Sequence, residues 1–156
     1  MQGPAPVLFR KARREDLRAI LELLNDGKLG NVLERIEDPL PQTYYRAFAA
    51  IEADPNQVLL VGEIDGRIVA SLQLTFIPGI AHQGAWRAQV EAVRVVRERR
   101  GQRIGEAMMR HVIALARERG CDRVQLTTNK ARDDAQRFYR RLGFVASHEG
   151  MKLWLR

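Results

Sequence analysis

Between residues 90 and 118 the chain changes its hydrophobic period across a short basic turn. Val90-Glu91-Ala92-Val93-Arg94-Val95-Val96 reads as a strand. From Glu106 onward the spacing predicts an amphipathic helix. Met108, Met109, Val112, Leu115 and Ala116 lie on one face, and Arg110, His111, Arg117 and Glu118 on the other. Between the two stands Arg99-Arg100-Gly101-Gln102-Arg103-Ile104-Gly105. A strand, a glycine-containing turn and a helix in direct succession point to an α/β fold. A turn that opens a helix is also an anion site. The first N–H groups of the helix lack intrahelical partners, the helix dipole adds positive potential, and glycine lets the backbone approach a phosphate. A phosphorylated ligand is expected here.

The charge agrees with an anionic ligand. The 156 residues carry a net charge of +7, with 26 Lys and Arg against 19 Asp and Glu. Most of the cations are Arg, which grips phosphate bidentately as Lys cannot. A nucleotide cofactor, a nucleic acid or an acidic surface would each fit, and so would a merely well-solvated surface. Against nucleic acid stands the lack of any helix-turn-helix or RNA-recognition pattern and of interleaved exposed aromatics.

The length suits one domain over residues 1–156 with a sizeable core. Cys121 is the only cysteine, which excludes an intrachain disulfide. It has no His or Asp pattern beside it to make it a nucleophile. No apolar run approaches membrane-spanning length, and Met1 to Asp16 has no core of signal-peptide type. A cytoplasmic protein without a membrane partner is expected. His82, His111 and His148 are scattered without metal-ligand spacing, and no metal is expected.

Along the chain, Val7-Leu8-Phe9 reads as a first strand. A helix from about Arg14 carries Leu17, Ile20, Leu21 and Leu24 and ends at Asn25-Asp26-Gly27. Tyr44, Phe48 and Ile51 mark a second helix closed by Asp54-Pro55. Val58–Ile64 and Arg67–Phe76 form a hairpin about Asp65-Gly66. In the strand Trp86–Val96 apolar residues fall at 86, 88, 90 and 92, then at 93 and 95. The alternation slips by one residue, which reverses the buried face unless a residue bulges out. A β-bulge at Ala92-Val93 is therefore expected. Gly120 caps the following helix, Val124–Thr127 is a strand, and Asp133–Leu142 is a helix with Ala135, Phe138, Tyr139 and Leu142 inward. Phe144–Ala146 and Met151–Leu155 read as a closing hairpin. The order β-α-α-β-β-β-α-β-α-β-β describes a mixed α/β sheet.

Two segments carry a family resemblance. Arg100-Gly101-Gln102-Arg103-Ile104-Gly105 resembles the acetyl-CoA pyrophosphate motif of GCN5-related N-acetyltransferases, Arg/Gln-x-x-Gly-x-Gly/Ala. Ala135-Gln136-Arg137-Phe138-Tyr139-Arg140-Arg141-Leu142-Gly143-Phe144 resembles that family's Ala-x-x-Phe-Tyr-x-x-Leu-Gly-Phe segment. The element order agrees along nearly the whole chain. The chain departs from the pattern at Arg103, where the motif has its first glycine. It departs again at Arg132, where the family often has Asn, with Asn129 close by to take over a pantetheine contact.

The resemblance implies a single-domain fold with a mixed, mostly antiparallel sheet, about four helices and a splayed, bulged central strand. It implies acetyl transfer from acetyl-CoA to a primary amine by direct attack in a ternary complex. The cofactor-binding residues it implies are Arg100, Gly101, Gln102, Arg103, Ile104 and Gly105 for the phosphates, with Arg97 and Arg99 available. Val93 and Val95 would hold the pantetheine amides, with Asn129 and Tyr139 farther along. Tyr139 is the candidate general acid toward the departing thiolate, and core packing is its competing role. Glu91, beside the bulge, is the candidate base, against an ordinary surface carboxylate; Gln89 is a polar alternative. Tyr44, Tyr45 and Phe48 could line the acceptor cleft or simply pack.

The acceptor is expected to be the primary amine of a small molecule. The alternatives are a peptide or protein acceptor (N-terminus or lysine), a CoA-binding protein without catalysis, and a basic nucleic-acid-binding module. Met151, Leu153 and Leu155 alternate at the end of the chain in a way compatible with a homodimer.

Overall fold

A computed structural model describes residues 5–27 and 33–155. Two compact units make it up, residues 1–125 and 126–156.

The first unit is built on a five-stranded sheet in the order β1-β2-β3-β4-β5. β1 is Leu8–Lys11, β2 Gln57–Ile64, β3 Arg67–Pro78, β4 Trp86–Val95 and β5 Cys121–Leu126. The first four pair antiparallel, and β5 lies parallel to β4. Asp65 and Gly66, both at positive φ, make the two-residue turn of the β2–β3 hairpin, the geometry whose twist matches that of its strands. The helices are α1 (Leu17–Asn25), α2 (Gln42–Ala53), a short turn α3 (Ala81–Gly84) and α4 (Ile104–Glu118). His82 and Gln83 are left-handed, so α3 is a kinked loop element.

The two sheet faces differ. Leu72, Leu74 and Phe76 of β3, Ala88 and Val90 of β4 and Met108, Met109 and Val112 of α4 are buried, and α4 packs on β3 and β4. Ile104, Met108 and Val112 continue one stripe at i, i+4, i+8. On the other face Leu17, Leu21, Leu40 and Phe48 form a cluster against which Tyr44, Tyr45 and Leu59 pack. Burying Asp16 at the start of α1 is made tolerable by Arg10. Its guanidinium donates to Asp16 Oδ2 at 2.7 Å and Oδ1 at 3.2 Å and to Glu63 Oε2 at 2.7 Å, while the Arg13 N–H donates to Asp16 Oδ2 at 2.7 Å. Burial alone would push the Asp16 carboxyl up, but these bonds outweigh it and hold it below its ordinary value.

In the second unit, helix α5 (Asp133–Arg141) follows an Asx turn in which Asn129 Oδ1 accepts the Ala131 N–H at 2.9 Å. Gly143, at φ +97°, stops the helix. The closing hairpin expected from the sequence does not form. Residues 142–155 contain no strand, and Val145, Met151, Leu153, Trp154 and Leu155 are exposed. Alternation only prepares a segment for a sheet. An isolated two-stranded ribbon of three and five residues lacks the packing to persist. Among the described residues no helix is long and apolar enough to cross a membrane.

Candidate active site

The bulge forms where the pattern slips. Glu91 pairs with Gln73 and Arg94 with Ser71, so Ala92 and Val93 together face the single residue Leu72. Ala92 takes the strain, at φ +54°. Within the bulge the Val93 carbonyl accepts from Arg94 Nη1 at 2.9 Å, and beyond it the Val95 carbonyl accepts from Arg100 Nε at 3.2 Å.

β4 then runs into a 3-10 turn, Arg97–Arg99, and a loop with Gly101 at φ +82° and Arg103 at φ +62°. A Cβ on Gly101 would meet nothing within 4 Å, so glycine serves here for its positive φ. Arg103 holds the same left-handed region with a side chain. α4 begins at Ile104, two residues before the expected start, because buried Ile104 joins the apolar stripe of the helix. Ile104 and Gly105 are therefore first-turn helical residues. The N-cap residue Arg103 makes no side-chain capping bond; the Ala107 N–H donates to the Arg103 carbonyl at 3.0 Å. The N–H groups of Ile104 and Gly105 are left for water or an anion.

The four arginines of the turn divide into two pairs. Arg97 is bound to Asp26 at 3.0 Å, and Arg100 Nη2 donates to the Asp26 carbonyl at 2.8 Å. Arg100 thus fastens the turn to the end of α1. Arg99 and Arg103 have no ion pair or side-chain hydrogen bond among the described residues, which leaves them available to phosphates. Gln102 Nε2 makes only a long contact, 3.5 Å, to the Glu98 carbonyl. The residues present therefore fit a pyrophosphate: uncapped helical N–H groups, an open glycine and two uncommitted guanidinium groups.

This geometry has a family counterpart. Residues 17–144 match the model of the Acetyltransferase (GNAT) family. The chain belongs to the GNAT family. It is an N-acetyltransferase, and the family uses acetyl-CoA. An aminoalkylphosphonate N-acetyltransferase of Salmonella typhimurium is 31% identical over 147 residues, 87% of this chain and 92% of the relative. A Bacillus halodurans structure described as a transcriptional regulator is 47% identical, with a TM-score of 0.92 over 96% of this chain and 100% of the other. A Trypanosoma brucei acetyltransferase structure is 28% identical, with a TM-score of 0.78 over 96% and 100%.

Within this GNAT chain Glu91 is exposed on β4 beside the bulge and makes no hydrogen bond or ion pair among the described residues. Gln89, two residues earlier, accepts from Gln125 Nε2 at 2.7 Å. Tyr44 is anchored: its hydroxyl donates to Glu34 Oε2 at 2.7 Å and accepts the Arg35 N–H at 3.0 Å. In the second unit Tyr139 is half-buried, edge-on to Phe138 and Phe144. Asn129 is exposed, with Oδ1 engaged in its Asx turn. Cys121 is the first residue of β5, and partial burial pushes its thiol up, away from nucleophilic character. No cluster of metal-ligating side chains occurs among the described residues. Sequence reading missed the role of Asp26, whose partners lie 71 and 74 residues away.

Proposed function

We propose that residues 1–156 act as one cytoplasmic acetyltransferase domain that transfers acetyl to the primary amine of a small molecule by direct attack. When bound, acetyl-CoA supplies the acetyl group as a thioester. The observation that carries this reading is the bulge at Ala92-Val93, on the strand that leads into the uncapped N-terminus of α4. The N–H groups of Ile104 and Gly105, the Gly101 backbone, Gln102, Arg99 and Arg103 are assigned to the phosphates. Val93 and Val95 present backbone to the pantetheine, and a β4 N–H polarises the acetyl carbonyl; one such donor is worth about 3 kcal/mol. Glu91 takes the proton of the ammonium form, directly or through water. Tyr139 donates a proton to the departing thiolate, and Asn129 assists at the pantetheine; both roles rest on the family motif. No covalent acyl-enzyme forms, because the Cys121 thiol has no activating partner.

The relative that acts on aminoalkylphosphonates supports a small acceptor, and those compounds are the first to test. The exposed Met151, Leu153, Trp154 and Leu155 support a homodimer as the working form. The test is thiol release from acetyl-CoA in the presence of 2-aminoethylphosphonate. Amine-dependent release that falls at least tenfold in Tyr139→Phe supports the assignment. Release equal in both proteins removes Tyr139 from the reaction. A second reading, a regulator acting through nucleic acid, draws on the +7 charge and the 47% identical transcriptional regulator. Duplex DNA binding that acetyl-CoA leaves unchanged would favour it.

A further inference from the structure

Strand register gathers a row of polar side chains on the face of the sheet that also carries Glu91. Gln57 of β2 stands opposite Thr75 of β3, and Thr75 opposite Gln89 of β4. Directly opposed residues share a face. Gln73, two residues from Thr75, shares it too and stands opposite both Leu59 and Glu91. The side chains are joined. Gln57 Oε1 accepts from Gln73 Nε2 at 3.1 Å and from Thr75 Oγ1 at 2.9 Å, and Gln125 Nε2 of β5 donates to Gln89 Oε1 at 2.7 Å. Four successive strands thus contribute amides or a hydroxyl to one strip.

All five side chains are half-buried. Leu59, on the same face, packs with the Leu17, Leu21, Leu40 and Phe48 cluster. Amides in a sheet centre forgo the apolar packing that the opposite face achieves with α4. The internal bonds also leave capacity unused: the Gln89 amide donors and the Gln73 and Gln125 carbonyl oxygens have no partner among the described side chains. Donors and acceptors therefore remain on offer next to the exposed Glu91 carboxylate. Arg94 joins the same face past the bulge, opposite Ser71.

We propose that Gln57, Gln73, Thr75, Gln89 and Gln125 form the floor of the acceptor site. They select an amine whose short body carries hydroxyl or oxyanion groups over an alkyl amine of equal length. The inference rests on the acetyltransferase reading and adds its specificity determinants. Glu91 holds the ammonium end, and the strip binds the polar end through the unused amide groups.

The test compares 2-aminoethylphosphonate, ethanolamine and n-propylamine as acceptors for the wild type, Thr75→Val and Gln89→Leu. Acetyl-CoA-induced thermal stabilisation of each protein is recorded alongside. The expected result is a kcat/KM at least ten times higher for a polar acceptor than for n-propylamine. Either variant raises the KM of the polar acceptor about tenfold while the acetyl-CoA shift is kept. Unchanged acceptor KM in both variants, or a wild-type preference for n-propylamine, overturns the floor assignment and leaves the acetyltransferase reading standing. No acetyl-CoA shift in the wild type overturns both. Thr75→Val removes one hydroxyl at constant shape, so its result stands even if Gln89→Leu fails to fold.

Discussion

Arg100 donates from Nη2 to the Asp26 carbonyl at 2.8 Å and from Nε to the Val95 carbonyl at 3.2 Å, so one guanidinium joins the end of α1, the end of β4 and the basic turn. Its planar fork can serve two carbonyls at once, which a lysine ammonium on a flexible stem does poorly. Arg100→Lys is expected to weaken acetyl-CoA binding about tenfold by loosening the turn, with a loss of stability of about 1 kcal/mol. Titration calorimetry and thermal unfolding measure the two effects. Unchanged affinity would mean that the turn holds its shape without this link.

Arg103 holds φ +62° where a glycine would be unstrained. A side chain in the left-handed region costs about 1 kcal/mol, and glycine is also tolerated as a helix N-cap. Arg103→Gly should therefore raise stability by about that amount in urea titration, yet weaken acetyl-CoA binding through the lost guanidinium. A variant that is less stable than the wild type would show that the Arg103 side chain has a structural partner.

Asp16 gives a pH prediction. Its folded-state pKa lies below the ordinary carboxylate value, so its contribution is present above the unfolded value, about pH 4, and is lost as pH falls through the folded one. Asp16→Asn should cost about 2 kcal/mol near neutrality. That difference should shrink in acid, below about pH 4. Unfolding midpoints of both proteins from pH 7 to pH 3 make the comparison. A gap that stays constant would rule out the ion pair as its source.

Glu91 and Cys121 separate direct attack from a covalent route. Glu91→Gln should lower kcat/KM about 100-fold, the usual scale of a general base. Cys121→Ser should leave turnover within about twofold, since the half-buried thiol has no activating base among the described residues. Steady-state thiol-release assays report both. Loss of activity in Cys121→Ser with normal folding would point to an acyl-cysteine instead.

How legible these features were depended on how local their causes are. The slip at Ala92-Val93 could be read as a bulge because a period-two pattern cannot change face without an extra residue. Asp65-Gly66 could be read as a hairpin turn because both positions need positive φ. The start of α4 was misplaced because Gly105 resembles a turn residue, whereas burial of Ile104 decides the boundary. Met151–Leu155 alternates like a strand but has none of the pairing that makes one. The Arg100–Asp26 link and the amide strip were invisible for a different reason. The first spans 74 residues, and the second exists only once four strands are in register.

Thermal unfolding with and without acetyl-CoA, for the wild type and for Gly105→Glu, bears most directly on the cofactor site. A glutamate suits the first turn of a helix electrostatically but puts a carboxylate where the phosphates are assigned. At a hundredfold excess over Kd the wild type should gain about 2.7 kcal/mol of stability, and Gly105→Glu should gain almost none. No gain in the wild type, or an equal gain in both proteins, would contradict a pyrophosphate site at the head of α4.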